Sequence, residues 1–505
     1  MAADNYPRDP AGQLVTSKDT APVVVPTGQA MEFPYPGSLA RLNDYDYYTR
    51  LFLGQHFSAF NIRISDPEYN KMYAKLRYVV INFAGLISKI CADMLFSEPI
   101  IIKVPDGDQE FVDHLWEKNH LDVQCYEAAL SASYMGDALF KARIGPRTQN
   151  GESEIILEDI TPKIYFPSIN GFNVREIPQR QELAWTFRVG NDAYLRKEIH
   201  TPGKITNEVF KMEGNKIMGA AGLGILDDTT IKPEEIVQIE ESLLFHTPNW
   251  KTGDRYFGLS DYIDLDSIFF AVNNRMSKVD NILDKHGDPI LTVPPGILDE
   301  KGQVRKKSLG VIEIGEGETG KPEYIVWDAK LESAFTEIEK LVDFMYLTAE
   351  ISPDILGLGE GKSESGRALK FKLMRTIAKV ARKKLYFDNT IKEMLFTAQK
   401  LSKAYNISIE GQKLQGEPVM PEIEWQDGLP IDNSEQIETE TKALDAGLTS
   451  TKAAMMRIYG VDEEAAHKMM DERKKESELM MPKMNPTADL LRKNLIKSRY
   501  VSTTG

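Results

Sequence analysis

The stretch of the chain with the most suggestive chemistry is IGEGETGKPEY, residues 314–324. Its glycine, four residues and Gly-Lys have most of the spacing of an ATP phosphate-binding loop, whose backbone N–H groups and lysine hold phosphates. However, Pro322 replaces the hydroxyl residue that binds Mg²⁺, and Glu316 and Glu318 would repel phosphate. The EYIVWD run that follows predicts a strand, whereas the motif leads into a helix. We therefore interpret the stretch as an exposed hairpin turn rather than an ATP site.

Three acidic residues near the start of a predicted helix, Asp261, Asp264 and Asp266, could in principle bind a metal ion. Acids in the first turn of a helix are explained more simply by its dipole, and we favour that explanation. Cys91 and Cys125 are the only cysteines, and the seven histidines form no ligand-spaced pair. No nucleophile with a base and no paired-carboxylate site stands out. The sequence therefore predicts no catalytic residues, no metal site and no cofactor.

Basic residues gather in two places. In the predicted long helix from about residue 365, Lys372, Arg375, Lys379 and Arg382 fall three and four residues apart on one face. We favour a solvated face, or salt bridges to acids of a neighbouring subunit, over direct contact with DNA. The second cluster is Arg305, Lys306 and Lys307, for which an exposed solubilising turn and a docking site for a protein partner both remain open.

Composition limits the class of protein. The 505 residues are 42% apolar, enough for several cores, and the formal net charge is −15. Such a charge argues against a protein that grips nucleic acid over its whole surface, but not against one that lets DNA slide past. The start of the chain shows no signal-peptide pattern. The longest apolar run, from Tyr78, is interrupted by Lys89 and Asp93 and predicts a buried helix rather than a membrane span.

Periodicity predicts an α+β fold that is mainly helical. A Pro-rich arm precedes helical patterns up to about residue 135, and short alternating segments predict a β region from 138 to 239. Two amphipathic helices, one behind a Ser260 cap and one from about 331 to 350, bracket a small β module. A glycine-rich loop, a very long amphipathic helix, a strand at MPEIEWQDGLP and three further helices complete the pattern.

Two long stretches carry a resemblance. The sequences SPDILGLGEGKSESGRALKFKLMRTIAKVARKKLYF and IEWQDGLPIDNSEQIETETKALDAGLTS resemble the portal proteins of tailed double-stranded DNA bacteriophages, in the branch found in long-tailed phages. The segments INFAGLISKICADMLFSEPI and ILEDITPKIYFPSI add support, so the resemblance covers roughly residues 40 to 475. No single motif is as specific as a metal-ligand set, and the order and spacing of the segments carry the assignment.

The resemblance implies the following domains in this chain: a flexible arm (1–36), an α/β wing (37–257), a first stem helix (258–286), a small α/β clip (287–330), a second stem helix (331–351), a tunnel loop (352–365), a long helix with wing strands (366–430), a helical crown (431–480) and a flexible tail (481–505).

The same resemblance implies a function without catalysis. Such proteins form a ring, usually of twelve subunits, at one capsid vertex, through which DNA is packaged, retained and ejected. The implied partners are double-stranded DNA, bound without sequence specificity, the terminase large subunit, the major capsid and scaffolding proteins and the head–tail adaptor, with no membrane. The implied location is the virion, with assembly in the host cytoplasm. An ATP-driven packaging motor subunit and a shell-forming capsid protein remain the alternatives.

Two groups of residues are the expected sites. The clip cluster Arg305, Lys306 and Lys307 would dock the terminase and later the adaptor. A ring of copies that each carry a charge of −15 would repel a duplex, so we expect weak contact through small or apolar groups and backbone of the tunnel loop. The loop residues expected to face DNA are Leu356, Gly357, Leu358, Gly359, Glu360, Gly361, Lys362 and Ser363.

Overall fold

The computed structural model describes residues 32–64, 78–105, 107–147, 151–228, 230–287, 290–292, 323–325, 331–356, 366–426, 433–461 and 463–480. The chain divides into two compact units, the larger within residues 1–362 and 369–428 and the smaller within 363–368 and 429–505. Among the described helices, none is both long enough and apolar enough to cross a membrane.

The larger unit begins with helices whose starts are fixed by side-chain caps. Asn82 and Asp108 precede two of these helices, and each side chain accepts a hydrogen bond from the backbone N–H three residues later. The elements in chain order are α1 (Leu39–Phe52), α2 (His56–Ile64), α3 (Phe83–Phe96), β1 (Ile101–Lys103), α4 (Gln109–Lys118) and α5 (Leu121–Met135).

Antiparallel strands follow, as the alternating segments predict. They form one sheet of order β10-β2-β3 and another of order β4-β5-β6-β7-β8, in which β9 also pairs with β7. The strands are β2 (Asp137–Pro146), β3 (Ser153–Ile160), β4 (Tyr165–Pro167), β5 (Gln181–Val189), β6 (Asp192–Thr201), β7 (Lys204–Glu213), β8 (Lys216–Ala221), β9 (Glu234–Ile236) and β10 (Leu244–Pro248).

The outer edge of β3 is covered by two amide side chains. Asn119 Oδ1 accepts a hydrogen bond from Leu157 N at 2.9 Å, and Gln124 Oε1 accepts one from Asp159 N at 2.5 Å. The Gln124 amide also donates to the Leu157 carbonyl at 3.0 Å. An open strand edge is a template for pairing with another chain. Asn119, which lies between α4 and α5, and Gln124, in the first turn of α5, thus satisfy backbone groups of β3 without adding a strand.

A buried carboxylate joins helix α1 to the β10-β2-β3 sheet. Asp137 accepts hydrogen bonds from the Tyr45 hydroxyl, from His246 Nε2 at 2.6 Å and from Gly258 N at 2.7 Å. The His246 ring stacks on Tyr256, with 4.9 Å between ring centroids. Burial alone would raise the pKa of Asp137, but His246 and the hydrogen-bond donors outweigh it and lower that pKa. These contacts fix the segment that leads into the next helix.

The remaining elements of the larger unit include two paired helices and one very long helix. They are α6 (Asp266–Gly287), β11 (Ile290–Thr292), β12 (Glu323–Ile325), α7 (Leu331–Ala349), α8 (Gly366–Tyr405) and β13 (Glu422–Glu424). Helix α6 packs on α7, β11 pairs with β12, and β13 pairs with β1. The predictions of a helix over about 331–350, of the very long helix and of a strand near residue 422 are confirmed.

The start of α6 differs from the prediction. Ser260 does not cap the helix directly, because its hydroxyl accepts a hydrogen bond from Tyr262 N at 3.0 Å and the chain turns until residue 265. The helix itself begins at Asp266. This turn takes Asp261 out of the helix and into the interior, where its side chain is about 1% exposed.

The second half of α8 runs through the core of the larger unit. Phe387 packs against Phe96 with 5.4 Å between ring centroids, and Thr247 of β10 donates a hydrogen bond to the Thr390 hydroxyl at 2.9 Å. The fully buried apolar positions of this half are Phe387, Ile391, Met394, Leu395, Ala398 and Leu401. Their spacing of three and four residues is the amphipathic pattern that predicts the helix.

The smaller unit contains the three predicted C-terminal helices, α9 (Asn433–Asp445), α10 (Thr451–Tyr459) and α11 (Glu463–Met480). Gly447 and Gly460 adopt left-handed backbone conformations, with φ of 71° and 62°, where a helix ends more easily at glycine. Arg457 joins α9 to α10 through two hydrogen bonds of 2.7 Å to the Glu440 carboxylate. The helix ends predicted at these two glycines are confirmed.

Candidate functional site at the base of the glycine-rich loop

The predicted tunnel loop can be approached from its two described ends. Before the loop, Pro353–Leu356 forms a short 3-10 helix, and Leu356 is half-buried. After the loop, α8 begins at Gly366. The other expected DNA-facing residues, Gly357, Leu358, Gly359, Glu360, Gly361, Lys362 and Ser363, lie outside the described residues, as do the clip residues Arg305, Lys306 and Lys307. The site described below is therefore the base from which the loop begins.

A buried acid–base cluster lies at this base, and we call it the Asp261 cluster: Asp261, Lys379 and Lys383. Lys383 Nζ lies 2.7 Å and Lys379 Nζ 3.1 Å from the Asp261 carboxylate. Each of the three side chains is less than one tenth exposed. The cluster thus joins the turn before α6 to the first half of α8.

The remaining hydrogen-bonding groups of the cluster are also satisfied. The Ser133 hydroxyl of α5 donates to Asp261 Oδ2 at 2.7 Å, and Lys383 Nζ donates to the Asn249 amide oxygen. Lys379 Nζ donates to the carbonyl of Ala349 at 2.8 Å, which caps the C-terminal end of α7. One buried carboxylate therefore holds together α5, the turn before α6, the end of α7 and α8.

The charges in the cluster stabilise one another. Burial alone would raise the pKa of Asp261, but Lys379 and Lys383 outweigh burial and hold that pKa well below its usual range. Burial would likewise lower the pKa of Lys379, and the Asp261 carboxylate outweighs it, so the pKa of Lys379 is raised. Asp261 and Lys379 are thus both ionised near neutral pH.

This geometry corrects the interpretation of Asp261 and Asp264, which lie before the helix, whereas Asp266 lies in its first turn as predicted. Asp261 does not interact with a helix dipole, because it lies before the helix and forms buried ion pairs. Within the described ranges, no group of three or more His, Cys, Asp or Glu residues is placed to hold a metal ion. Sequence reasoning missed the cluster. The available signal was that Lys379 and Lys383, four residues apart, lie on the same side of α8 as the apolar residue Val380.

Surface ion pairs extend the cluster along α8 toward the loop. The Glu350 Oε2 atom lies 2.6 Å from Arg382 Nη2 and 3.8 Å from Arg375 Nε. Glu350 has a left-handed backbone conformation, with φ of 57°. Asp354 Oδ1, in the 3-10 helix, lies 3.4 Å from Lys372 Nζ. Arg375 and Arg382 are 74% and 53% exposed, in agreement with the solvated face predicted from the sequence, and each also meets an acid of its own chain.

Hydrogen bonds also fix the backbone at the start of the loop. Ser352 N donates a hydrogen bond to the Thr376 hydroxyl at 2.8 Å, and the Ser352 hydroxyl donates to Asp354 Oδ2 at 3.0 Å. Thr376 is almost fully buried on α8, so Ser352 is fixed to the middle of a long helix. Within the segment 352–365 implied as the tunnel loop, Pro353–Leu356 forms a short 3-10 helix.

The chemistry available here is structural. The Cys91 thiol lies near the cluster, but burial and then the Asp261 carboxylate raise its pKa, which makes it a poor nucleophile. Every charge of the cluster is used in holding helices together. The arrangement fixes the end of α7 and Ser352 to α8.

Comparison with known proteins identifies the family of the chain. Residues 38–163 and 257–479 match the family described as "Phage portal protein, SPP1 Gp6-like". Because the match spans more than half of the chain, the protein belongs to this phage portal family, which is structural rather than catalytic. The resemblance and the α+β, mainly helical fold class predicted from the sequence are confirmed.

Solved structures give a weaker similarity. A chain of "Virion of native gene transfer agent (GTA) particle" is 13% identical, covers 75% of this chain and 89% of its own, and has a TM-score of 0.39. A chain of "Neck of native GTA particle computed with C12 symmetry" is 12% identical, with 74% and 89% coverage and a TM-score of 0.41. No curated protein matches the chain. The family assignment therefore rests on the family match.

The Asp261 cluster leads to a stability prediction. Asp261→Asn should lower the free energy of unfolding by about 3–5 kcal/mol at pH 7, because it leaves two buried ammonium groups without a counter-charge. A carboxyl whose folded pKa is lowered contributes stability above its unfolded pKa, and the contribution disappears as pH falls through the folded pKa. The difference between wild type and variant should therefore shrink below about pH 4. Urea unfolding between pH 3 and pH 7 measures it.

Two controls separate charge burial from other effects. Glu438→Gln breaks the exposed Lys442–Glu438 pair in α9 and should cost no more than about 0.5 kcal/mol. Replacing all three charged residues with Asp261→Leu, Lys379→Met and Lys383→Met should recover much of the stability lost in Asp261→Asn. An unchanged unfolding energy in Asp261→Asn at pH 7 would contradict the account of the cluster.

Proposed function

We propose that the protein forms a ring-shaped channel at one vertex of a phage capsid, and that double-stranded DNA passes through it during packaging, retention and ejection. The ring has about twelve subunits. The family match supports a portal role, and the described base of the 357–365 segment suits a loop that must stay in position while DNA moves. The proposed location is the virion, with assembly in the host cytoplasm.

The single observation that carries the proposal is that the basic residues of α8 form ion pairs with acids of their own chain. Lys372, Arg375 and Arg382 meet Asp354 and Glu350 within 4 Å. Lys379 and Lys383 are buried on Asp261. A cation that binds a phosphate adds counterion-release affinity, so a row of free cations would hold the duplex. Cations that are paired with acids of their own chain bind phosphate less tightly than free cations would, so DNA can slide along this face.

The proposed domains follow from the same function. The stem would consist of α6 and α7, the clip of the residues between them, and the crown of the smaller unit. The clip would dock the terminase large subunit, which supplies the ATPase, and later the head–tail adaptor. The major capsid and scaffolding proteins would meet the ring at its outer side.

The first test of the proposed function is the assembly itself. Purified protein viewed by negative-stain electron microscopy should show end-on particles with about twelve lobes and an open centre. The same preparation should hydrolyse no ATP, because the conduit has no motor activity. Closed shells, or particles that remain monomeric at every concentration tested, would contradict the proposal.

A second prediction concerns the loop. The double variant Glu360→Lys and Ser363→Lys adds two cations to each subunit where weak contact with DNA is proposed. Each new phosphate contact strengthens the grip, so packaging measured in vitro should slow or stall. The matched control is Glu152→Lys with Ser153→Lys, which makes the same two changes at exposed positions at the start of β3. Equal packaging rates in the loop variant and in the control would refute weak sliding contact.

A third prediction concerns the clip. Replacing Arg305, Lys306 and Lys307 with glutamate should weaken terminase binding, because an acidic partner surface would then be repelled. Ring assembly should be intact in electron micrographs. As a control, Arg492, Lys493 and Lys497 of the C-terminal tail are changed to glutamate. Terminase affinity that is normal in the clip variant, or lowered equally in both, removes the clip from the docking site.

A further inference from the structure

The first half of α8 has two apolar faces. One face is buried against its own chain, with Leu373, Val380 and Phe387 almost fully buried. On the opposite side lies a second apolar row, which we call the outer stripe: Phe371, Met374, Ala378, Ala381 and Leu385. At 100° per residue these five positions fall within about 80° of one another.

The outer stripe has the spacing of a helix–helix seam. Its residues repeat at intervals of three, four, three and four, the pattern of a and d positions in a coiled coil. Phe371, Met374 and Leu385 are 67%, 64% and 68% exposed, and the two alanines between them are exposed as well. Small residues between large ones let a partner helix approach closely. A contiguous exposed apolar row of this kind marks a protein contact.

Helix α7 carries an exposed apolar face of its own. Phe344 and Leu347 are 56% and 74% exposed and lie opposite Ile338 and Met345, which are buried. We call Phe344 and Leu347 the α7 outer face. The inner face of α7 packs on α6, and the inner face of α8 packs around the Asp261 cluster. Both outer surfaces therefore point away from their own core, and each needs a partner from outside it.

Charge decides which surface fits the outer stripe. Arg375 and Arg382 flank the stripe and share the single carboxylate of Glu350, so this flank keeps a positive charge. Two outer stripes facing each other would bring these arginines together. The exposed side of α7 around the α7 outer face carries the carboxylates of Glu339 and Asp343 and one cation, Lys340, whose Nζ lies 3.3 Å from Asp343 Oδ2. This side of α7 therefore keeps a net negative charge, which complements the net positive flank on α8.

We propose that the outer stripe of α8 binds the α7 outer face of a second copy of this chain. The two surfaces differ, so each subunit uses α8 toward one neighbour and α7 toward the other. Such head-to-tail contacts close into a ring when the rotation between copies allows. The proposal rests on the proposed ring and specifies the residues through which its subunits meet.

A charge placed in the stripe tests this contact. Met374→Glu together with Ala381→Glu should raise the protein concentration at which half of the subunits are in rings by about tenfold or more, because two carboxylates would be desolvated against an acidic surface. Analytical ultracentrifugation measures the assembly, and circular dichroism checks that the subunit is folded. Val123→Glu, at a 58% exposed position in the first turn of α5, is the matched control. Rings that assemble normally in the stripe variant overturn the proposal.

Disulfide trapping tests the identity of the partner surface. Cys91 and Cys125 are buried, so new cysteines are the ones that react. Leu347→Cys and Met374→Cys are made in separate chains and mixed before assembly and oxidation. Linked dimers should form in the mixture and not in either variant alone. Dimers of a single variant, or none in the mixture while rings are present, would refute the pairing. If wild-type protein makes no rings under any condition, the proposed function fails instead.

Discussion

The arrangement of helices around the glycine-rich loop depends on one buried carboxylate. Asp261 lies in a turn that belongs to neither neighbouring helix, and its two ammonium partners come from a helix more than a hundred residues later in the chain. Isolated charges are too costly to bury, so all three must be present together or not at all. This requirement fixes the rotation of α8 about its axis. It also places Ala349, at the end of α7, against Lys379.

Once α8 is rotated in this way, the other properties of its surface follow. The cations beside the cluster fall within reach of Glu350 and Asp354, at the start of the loop, and pair with them there. The apolar outer stripe, half a turn away, is left facing outward. One helix thus combines a buried face, a basic face paired with acids of its own chain and an exposed apolar face. If the outer stripe binds a second subunit as proposed, the same rotation links the ion pairs inside the subunit to the contact between subunits.

Much of this fold was predictable because the signals are local. Amphipathic periodicity gave α7 and α8 close to their observed ends, and Gly447 and Gly460 marked helix ends correctly. The acid–base cluster was not predictable, because Asp261 and Lys383 are far apart in sequence and no local pattern pairs them. Glu350 and Asp354 lie closer in sequence to the basic residues of α8, but a pattern of charges does not show whether a cation pairs within its own chain, with another subunit or with solvent. The outer stripe was hidden because the same helix carries a stronger buried stripe.

The amide side chains over β3 have a consequence for a protein made in many copies. Asn119 and Gln124 occupy the backbone groups that a foreign strand would need in order to join the sheet. In the proposed ring, a neighbouring subunit would therefore find these pairing groups of β3 already occupied. Contacts between side chains, which have a defined geometry, can stop when a circle is complete. Asn119 and Gln124 thus disfavour open-ended strand pairing at this edge of the sheet.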